Sequence, residues 1–257
     1  IWRQRAGLAG NPLIKAYLNS QARKMASYEK ELFAGYDGVI AVSEKDAAVF
    51  KAEYGVRRTA VVPNGVDTDY FAPRTEARED NLIVFSGAMD YAPNADGAKY
   101  FLQEIWPKVI KSHPQARFII VGRRPGPALI ALAKKYPQVE ITGTVDDVRP
   151  YLNRAAIIVV PLRMGGGSRL KILEALRMGK AVISTPIGAE ELALEAGKHI
   201  VIAEKVEAFA QEISLLLENP AKAGTLSQFG RALIEERYSW PVCARQLETF
   251  WAGFAPH

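Results

Sequence analysis

Residues 155–176 read AAIIVVPLRMGGGSRLKILEAL and carry the clearest fold signal in the chain. The first six residues are apolar without interruption, which is typical of a strand that is buried on both faces of a parallel sheet. Three glycines, Gly165 to Gly167, separate this run from a segment that begins at Arg169. Because apolar residues recur there with helical spacing, the stretch predicts a strand, a glycine-rich loop and a helix.

Short apolar runs alternate with helical patterns on both sides of this stretch. Such alternation indicates right-handed βαβ crossovers, so we predict an α/β fold, a Rossmann-like parallel sheet with helices on both faces. The predicted strands are Leu82–Ser86, Arg117–Val121, Val139–Ile141, Ala156–Val160 and Ala181–Ser184, and the predicted helices are Asp96–Ser112, Ala128–Tyr136, Val148–Arg154 and Arg169–Met178.

The predicted domain organisation has three parts. Residues 1–36 form a helical segment, in which the pattern predicts a helix over Pro12–Phe33. Residues 37–238 form the Rossmann-like domain, and residues 239–257 form a C-terminal helix that packs back towards a preceding domain. The Rossmann-like part opens with a strand at Gly38–Val42, a helix at Glu44–Tyr54 and a strand at Ala60–Pro63.

Length and composition restrict the class of protein. The chain has 257 residues, of which 49% are hydrophobic and 24% are charged, which is ordinary globular usage and excludes a disordered protein. Apolar runs stay far below the roughly 18 residues of a membrane span. Cys243 is the sole cysteine, which excludes an intrachain disulfide and predicts a cytoplasmic protein. Because the chain opens at Ile1 rather than Met, we expect it to be a piece of a longer protein.

Positive charge is concentrated at the start of the chain. Lys and Arg outnumber Asp and Glu by 33 to 28, and no acidic residue occurs before Tyr28. Two interpretations stay open, contact with an anionic membrane surface and a solvated helix face. No nucleic-acid partner is predicted. The basic residues of this segment are Arg3, Arg5, Lys15, Arg23 and Lys24.

Glycines follow the predicted strands at the edge where ligands bind in open parallel sheets, outside the carboxyl ends of the strands. Gly87, Gly122 and Gly143 each come directly after a strand, and glycine lets a backbone approach a ligand closely. Arg123 and Arg124 follow the second of these glycines and are ligand candidates. Ordinary solvated arginines are the alternative.

The loop at Gly165–Gly167 is the strongest candidate site. Glycines before a helix capped by Ser168 place backbone N–H groups and the positive end of the helix dipole together, which suits a diphosphate. Arg169 and Lys171 add full charges, and Glu174 could accept hydrogen bonds from sugar hydroxyls. The alternative is a merely flexible loop followed by a surface pair of Lys171 and Glu174.

Asp67-Thr68-Asp69 has the D-x-D spacing of a divalent-metal site. It lies between Asn64-Gly65 and Pro73, where aspartate caps a turn, so we interpret it as a turn and predict no metal site. The three histidines, His113, His199 and His257, also lack the spacing of metal ligands or of a catalytic triad.

Seven motifs between Ala41 and Gly188 resemble the nucleotide-sugar-dependent glycosyltransferases of the GT-B type, specifically the retaining family 4 enzymes and their Stp1-like sugar-transferase branch. Their order and spacing carry the resemblance. The motifs are Ala41-Val42-Ser43-Glu44, Val62-Pro63-Asn64-Gly65-Val66-Asp67 with Phe71, Ser86-Gly87-Ala88-Met89-Asp90-Tyr91 with Pro93-Asn94, Val121-Gly122, Gly143-Thr144-Val145, the run from Gly166 to Ala175, and the run from Met178 to Thr185 with Gly188.

The resemblance implies that the chain is the C-terminal, donor-binding half of such an enzyme, whose N-terminal acceptor domain is missing. Glu174 would contact the donor ribose, the backbone near Val145 would meet the base, and the donor sugar and phosphates would face the glycine loop. The further donor-binding residues that it implies are Gly87, Asn94, Gly166, Gly167 and Ser168.

The resemblance also implies a partner set. The donor would be a UDP- or GDP-sugar bound without cofactor or metal, and the acceptor would be a saccharide or a lipid-linked molecule. The protein would be cytoplasmic and peripheral to the inner face of the membrane.

Two positions depart from the family pattern. Gly166 stands where family 4 enzymes usually carry the first glutamate of their E-x7-E motif, and the loop after Gly87 lacks the usual arginine and lysine. We expect Arg169 and Lys171 to hold the diphosphate instead. A non-catalytic module for assembly or membrane docking and a nucleotide-sugar epimerase are the rival functions.

Overall fold

The computed structural model describes residues 2, 6–7, 9–73 and 78–254. Arg3 and Arg5 of the basic segment and His257 lie outside the described residues. The helices are α1 (Pro12–Phe33), α2 (Glu44–Tyr54), α3 (Ala92–Tyr100), α4 (Trp106–Ser112), α5 (Pro127–Ala133), α6 (Arg149–Arg154), α7 (Leu170–Arg177), α8 (Pro186–Ala189), α9 (Val206–Glu218), α10 (Pro220–Leu233) and α11 (Trp240–Ala252). The strands are β1 (Val39–Ala41), β2 (Thr59–Val61), β3 (Leu82–Ser86), β4 (Arg117–Val121), β5 (Val139–Gly143), β6 (Ile157–Val160), β7 (Ala181–Ser184) and β8 (Val201–Ile202).

The chain divides into two compact units. The larger unit contains Gly65–Arg163 and Arg169–Trp240, and the smaller unit contains Ile1–Asn64, Met164–Ser168 and Pro241–His257. The division after Asn64 differs from the predicted boundary at residue 36. The reason is that, among the strands of the described residues, β1 and β2 pair only with each other and form a sheet of their own.

The larger unit is built on a six-stranded parallel sheet with the order β5-β4-β3-β6-β7-β8. The chain moves outward from β3 to β5, returns to β6 beside β3, and moves outward again to β8. The direction therefore reverses between β3 and β6, which is the switch point where open α/β sheets bind ligands. The predicted fold class, a Rossmann-like parallel sheet with helices on both sides, is confirmed.

The core of the larger unit follows from its uninterrupted apolar strands. Every residue of β3, β6 and β7 is buried, as expected for strands that are covered on both faces. Aromatic rings close one side of the sheet, with the rings of Phe101 and Phe118 at 4.5 Å between centroids and those of Trp106 and Phe118 at 5.6 Å.

The predicted helix over Asp96–Ser112 is wrong in two respects. It begins earlier, at Ala92, and a π-helical turn over Phe101–Ile105 interrupts it. The backbone N–H of Trp106 donates to the carbonyl of Phe101, five residues back. Pro107 follows one residue after the wide turn and has no N–H to donate to a carbonyl of that turn, so the regular hydrogen-bond pattern is broken there before α4 continues.

The smaller unit contains α1, α2 and the β1–β2 pair. Helix α1 has the predicted bounds because Asn11 caps it, with its side chain accepting from the backbone of Leu13 and Ile14. Phe33 of α1 packs on Phe50 of α2 at 4.9 Å between ring centroids. Most of α1 is exposed, including several large apolar residues: Leu13, Ile14, Tyr17, Met25, Tyr28 and Leu32.

None of the described helices combines the length and the apolar character that crossing a membrane requires.

Candidate functional site

A pocket of about 460 Å³ opens at the carboxyl ends of β3, β4 and β5. We call it the strand-end pocket, and it lies entirely within the larger unit. Three loops and one helix contribute to it, as the sequence predicts for a ligand site in a parallel sheet. Its lining residues are Ser86, Gly87, Ala88, Val121, Gly122, Arg123, Thr144, Val145, Val148, Lys171 and Glu174.

Helix α7 supplies the two ionisable side chains on one wall. Lys171 and Glu174 are three residues apart, so both lie on the same face of the helix. The residues between and after them, Ile172, Leu173 and Ala175, are buried in the core, which fixes the orientation of that face. The alternative of an exposed surface pair is therefore wrong, because both side chains line the pocket.

The ammonium of Lys171 has one polar and one aromatic neighbour. Its Nζ donates a hydrogen bond to Oδ1 of Asn94 at 2.7 Å. It also lies 4.4 Å from the centroid of the Phe85 ring, within the range of a cation–π interaction. Since an ammonium has three N–H donors, this arrangement holds the charge in place while leaving donors for a ligand.

Burial perturbs both ionisable groups. It lowers the pKa of Lys171 from 10.5 to about 7, with Arg169 adding to the shift and Glu174 opposing it. Burial also raises the pKa of Glu174, and Lys171 opposes that shift. Each side chain thus carries its charge at a cost that a ligand of opposite charge would relieve. Perturbed groups in a cleft are typical of functional sites.

The glycines after β3 and β4 permit a close approach of two backbones. A Cβ on Gly122 would lie 1.7 Å from the carbonyl oxygen of Gly87. A Cβ on Gly87 would lie 2.6 Å from the Asn94 amide nitrogen and 2.7 Å from Nζ of Lys171. Gly87 also has a φ of 153°, which favours glycine. Both positions therefore keep the pocket floor open.

The predicted cations differ in their position relative to the strand-end pocket. Arg123 lines the strand-end pocket, but its side chain is 60% exposed and lies 3.5 Å from the carboxylate of Asp90. Arg169 is buried, its Nη2 donates to the carbonyl of Ile187 at 3.4 Å, and the pocket lining does not include it. Lys171 is the predicted cation that the structure places deepest in the pocket.

Asn94 lies behind the pocket wall rather than on it. The residue is buried, and its side-chain amide nitrogen donates to the carbonyl of Ala88 at 2.9 Å. Both ends of the amide therefore bond to the protein, one to Ala88 and the other to Lys171. Val145, which was expected near the base of the donor, does line the pocket.

The glycine-rich loop belongs to the smaller unit by its contacts, and this applies to Gly166, Gly167 and Ser168 alike. Gly167 has a φ of 83°, which explains the need for glycine at that position. Helix α7 begins at Leu170, so Arg169 and not Ser168 occupies the N-cap position. The expected Ser168 cap is wrong because the backbone of Arg169 is not yet helical.

The D-x-D triplet forms a turn, as its flanking residues predict. Oδ1 of Asp67 accepts hydrogen bonds from the backbone N–H groups of Asp69 and Tyr70 at 3.0 and 2.8 Å. Within the described part of the chain, no group of three His, Cys, Asp or Glu side chains is arranged to hold a metal ion.

Sequence reasoning did not find Phe85 as a neighbour of Lys171. Phe85 is one of five apolar strand residues, and nothing in its surroundings marks it. Thr144 and Val148 were also not predicted to line the pocket, although the glycine that ends β5 marked their loop.

Comparison with known proteins shows the family. The model of the group 1 glycosyl transferases matches residues 80–219, more than half of the chain. The chain therefore belongs to the group 1 glycosyl transferases. The model of glycosyltransferase family 4 matches residues 9–70.

Two solved structures show the same fold. Sucrose-phosphate synthase from Thermosynechococcus elongatus has a TM-score of 0.76 at 21% identity, over 90% of this chain and 62% of that one. Anabaena HepE in complex with UDP and glucose has a TM-score of 0.69 at 16% identity, over 83% of this chain and 62% of that one. The chain thus shares its α/β fold with GT-B glycosyltransferases.

One curated relative is a GDP-mannose-dependent monoacylated alpha-(1-6)-phosphatidylinositol monomannoside mannosyltransferase from Corynebacterium glutamicum. It is 27% identical over 227 residues, which cover 80% of this chain and 59% of the relative. The chain spans less than two thirds of the length of that enzyme.

Proposed function

We propose that the chain binds the nucleoside-diphosphate sugar, UDP- or GDP-linked, in a glycosyltransferase that transfers the sugar with retention at the anomeric carbon. The observation that carries the proposal is the strand-end pocket, which combines a half-buried lysine with a glutamate on the helix after the glycine loop. The names of two related proteins support the choice of nucleotide, since one is GDP-mannose-dependent and the other binds UDP and glucose.

The roles follow from charge and reach. Lys171 stabilises the negative charge that develops on the diphosphate as the glycosidic bond breaks, which is electrostatic catalysis by a preorganised group. The N-terminus of α7 and Arg169 add positive potential nearby. Glu174 accepts hydrogen bonds from the ribose hydroxyls, and the backbone at Val145 contacts the base. Inversion at the anomeric carbon of the product, read by proton NMR, would contradict the retaining mechanism and the assignment to an Stp1-like branch.

The acceptor side is proposed to lie in an N-terminal domain that this chain does not contain. The chain covers only 59% of the mannosyltransferase relative, which supports this view. We therefore expect the chain to bind the donor and to transfer sugar slowly or not at all. A transfer rate equal to that of a complete two-domain enzyme would overturn this expectation.

A lipid-linked acceptor and a position at the cytoplasmic face of the membrane are proposed from the acceptor of the same relative and from α1. This helix exposes Leu13, Tyr17 and Tyr28 and carries the basic residues Lys15, Arg23 and Lys24. Sedimentation with anionic vesicles but not with neutral ones is the expected result. Equal sedimentation with both, or with neither, would reject it.

Thermal unfolding in the presence of UDP, GDP, ADP and CMP tests the donor site. A nucleotide at about 100 times its dissociation constant adds roughly 2.7 kcal/mol to the free energy of unfolding. We expect one diphosphate to raise the melting temperature and Glu174→Ala to abolish the effect. Lys171→Met is also expected to weaken the effect. Lys108→Met is its matched control, since Lys108 lies outside the strand-end pocket and pairs with Glu207 at 3.2 Å.

If none of the nucleotides raises the melting temperature of the folded chain, the donor-binding proposal is overturned. The non-catalytic module would then be the better explanation of the fold.

A further inference from the structure

The wall behind the strand-end pocket contains a polar contact that joins two parts of the larger unit. Asn94 is in the first turn of α3, and Lys171 is in the first turn of α7. Their side chains form a hydrogen bond of 2.7 Å across a separation of 77 residues in the chain. Among the described residues this is the only hydrogen bond of the lysine side chain.

The Asn94 amide is held in one orientation. Its nitrogen donates to the carbonyl of Ala88 at 2.9 Å, which leaves its oxygen directed at the lysine. The loop that contains Ala88 also contains Gly87, where a Cβ would lie 2.6 Å from the amide. The amide therefore cannot turn to present its nitrogen to Lys171 without losing the Ala88 bond.

This arrangement fixes the position of a side chain that is otherwise flexible. Lysine has a long stem with four rotatable bonds, and ordering it costs conformational entropy. An acceptor that is itself immobile holds the ammonium over the Phe85 ring, at the floor of the pocket. A neutral acceptor does so without neutralising the positive charge, whereas a carboxylate would compete with a diphosphate.

We propose that Asn94 is a positioning residue, which acts on the donor diphosphate only through Lys171 and does not contact the donor itself. This inference rests on the proposed function, because it assumes that Lys171 binds the diphosphate. It differs from the role expected from the sequence, in which Asn94 was a donor ligand.

The charged groups that face Lys171 are few. Glu174 comes from its own helix, Arg169 is the N-cap residue of that helix, and Arg123 lies across the pocket on the loop after β4. Asn94 contributes no charge. Its replacement by aspartate adds one carboxylate at the acceptor position, so Asn94→Asp stabilises the ammonium and moves its titration to higher pH.

A double-mutant cycle on nucleotide binding provides the first test. UDP and GDP are titrated into the chain by calorimetry, using wild type, Asn94→Ala, Lys171→Met and the double variant. We expect Asn94→Ala to weaken binding about tenfold or more, as for loss of a hydrogen bond to a charged group. In the Lys171→Met background, the same change is expected to have no further effect. An equal loss in both backgrounds would overturn the proposal.

Titration of Lys171 without ligand provides the second test. The side-chain resonances of Lys171 are assigned in a lysine-labelled sample by their absence in Lys171→Met. We expect Asn94→Asp to move the midpoint to higher pH and Asn94→Ala to move it to lower pH. Unchanged midpoints in both variants would overturn the proposal, and Asn94→Ser replaces Asn94→Ala if the latter fails to fold.

The two tests distinguish a failure of the proposed function from a failure of the role proposed for Asn94. If wild type binds neither UDP nor GDP while the Lys171 midpoint still responds to Asn94, the proposed function fails and the action of Asn94 on Lys171 stands. If wild type binds a nucleotide and the cycle is additive, only the role of Asn94 fails.

Discussion

Two groups of cations lie beside the same edge of the sheet, and they differ in what surrounds them. Lys171 lies against an aromatic ring and a neutral amide, whereas Arg123 and Arg124 are exposed and lie 3.5 and 3.3 Å from the carboxylate of Asp90. An exposed ion pair contributes little to stability. A buried ammonium without a carboxylate partner is costly, and a bound anion relieves the cost. The contrast indicates that the environment of a cation, more than its charge, identifies a ligand site.

Replacing the two kinds of cation is the most direct way to break this comparison. We expect Lys171→Met to weaken UDP or GDP binding about a hundredfold, since it removes the desolvated charge that is proposed to bind the diphosphate. Arg123→Ala is expected to weaken binding only about threefold because water screens its side chain. Calorimetric titration measures both. Equal losses in the two variants would show that burial does not distinguish the cations.

A methyl group at position 87 would fill the space that Gly87 leaves for the Lys171 ammonium. In Gly87→Ala the new methyl group would meet Asn94 and Lys171 within 2.7 Å, at a φ of 153°. We expect a loss of about 2 kcal/mol in the free energy of unfolding, measured by urea denaturation. Gly197→Ala is the matched control, because Gly197 has a φ of 81° and no atom lies within 4 Å of its Cβ position. Similar losses in both variants would place the effect in the backbone rather than at the lysine.

The buried ammonium also predicts a pH dependence of stability. The pKa of Lys171 falls to about 7 in the folded chain, so the unfolded chain binds more protons between about pH 7 and the ordinary lysine value of 10.5. Its contribution therefore makes stability rise with pH in that window, by at most about 1.4 kcal/mol per pH unit. Lys171→Met is expected to remove this slope, and Arg123→Ala to leave it unchanged. An identical slope in Lys171→Met would refute the low pKa.

The exposed ion pairs of Asp90 with Arg123 and Arg124 provide the opposite case to the buried lysine. We expect Asp90→Asn to cost about 0.5 kcal/mol or less, since the side chains of Arg123 and Arg124 are 60% and 77% exposed. Urea denaturation at low and high salt measures it, and the small effect is expected to vanish at high salt. A loss above about 2 kcal/mol would mean that this pair is as important as the buried contact.

Much of the fold follows from local sequence. Strands β3, β4 and β7 have their predicted bounds because their apolar runs end at polar or glycine residues. Part of the pocket wall could also be predicted from the sequence. The three-residue spacing of Lys171 and Glu174 places both on one face of the helix that follows the glycine loop. These predictions depend on neighbours in the chain.

The remaining features depend on contacts between distant residues. The Asn94–Lys171 bond and the Lys171–Phe85 contact join different elements, and neither leaves a periodic pattern. The contact of Arg169 with Ile187 likewise requires α8, a four-residue helix that the sequence did not predict. Residue types identified the candidates, but only packing determined which cation faces the pocket.

The position of β3 between β4 and β6 has a consequence for the kinetics of folding. β3 pairs with β4 through a crossover that starts at Ser86 and ends at Arg117, whereas its pairing with β6 joins Ile83 to Ile157. Closing the longer loop costs more entropy and slows folding. We expect docking of β6 on β3 to limit the refolding rate, so that Ile158→Val slows refolding more than Ile141→Val. Since α7 follows β6 in the chain, we expect the lysine wall of the pocket to form only after β6 has docked on β3.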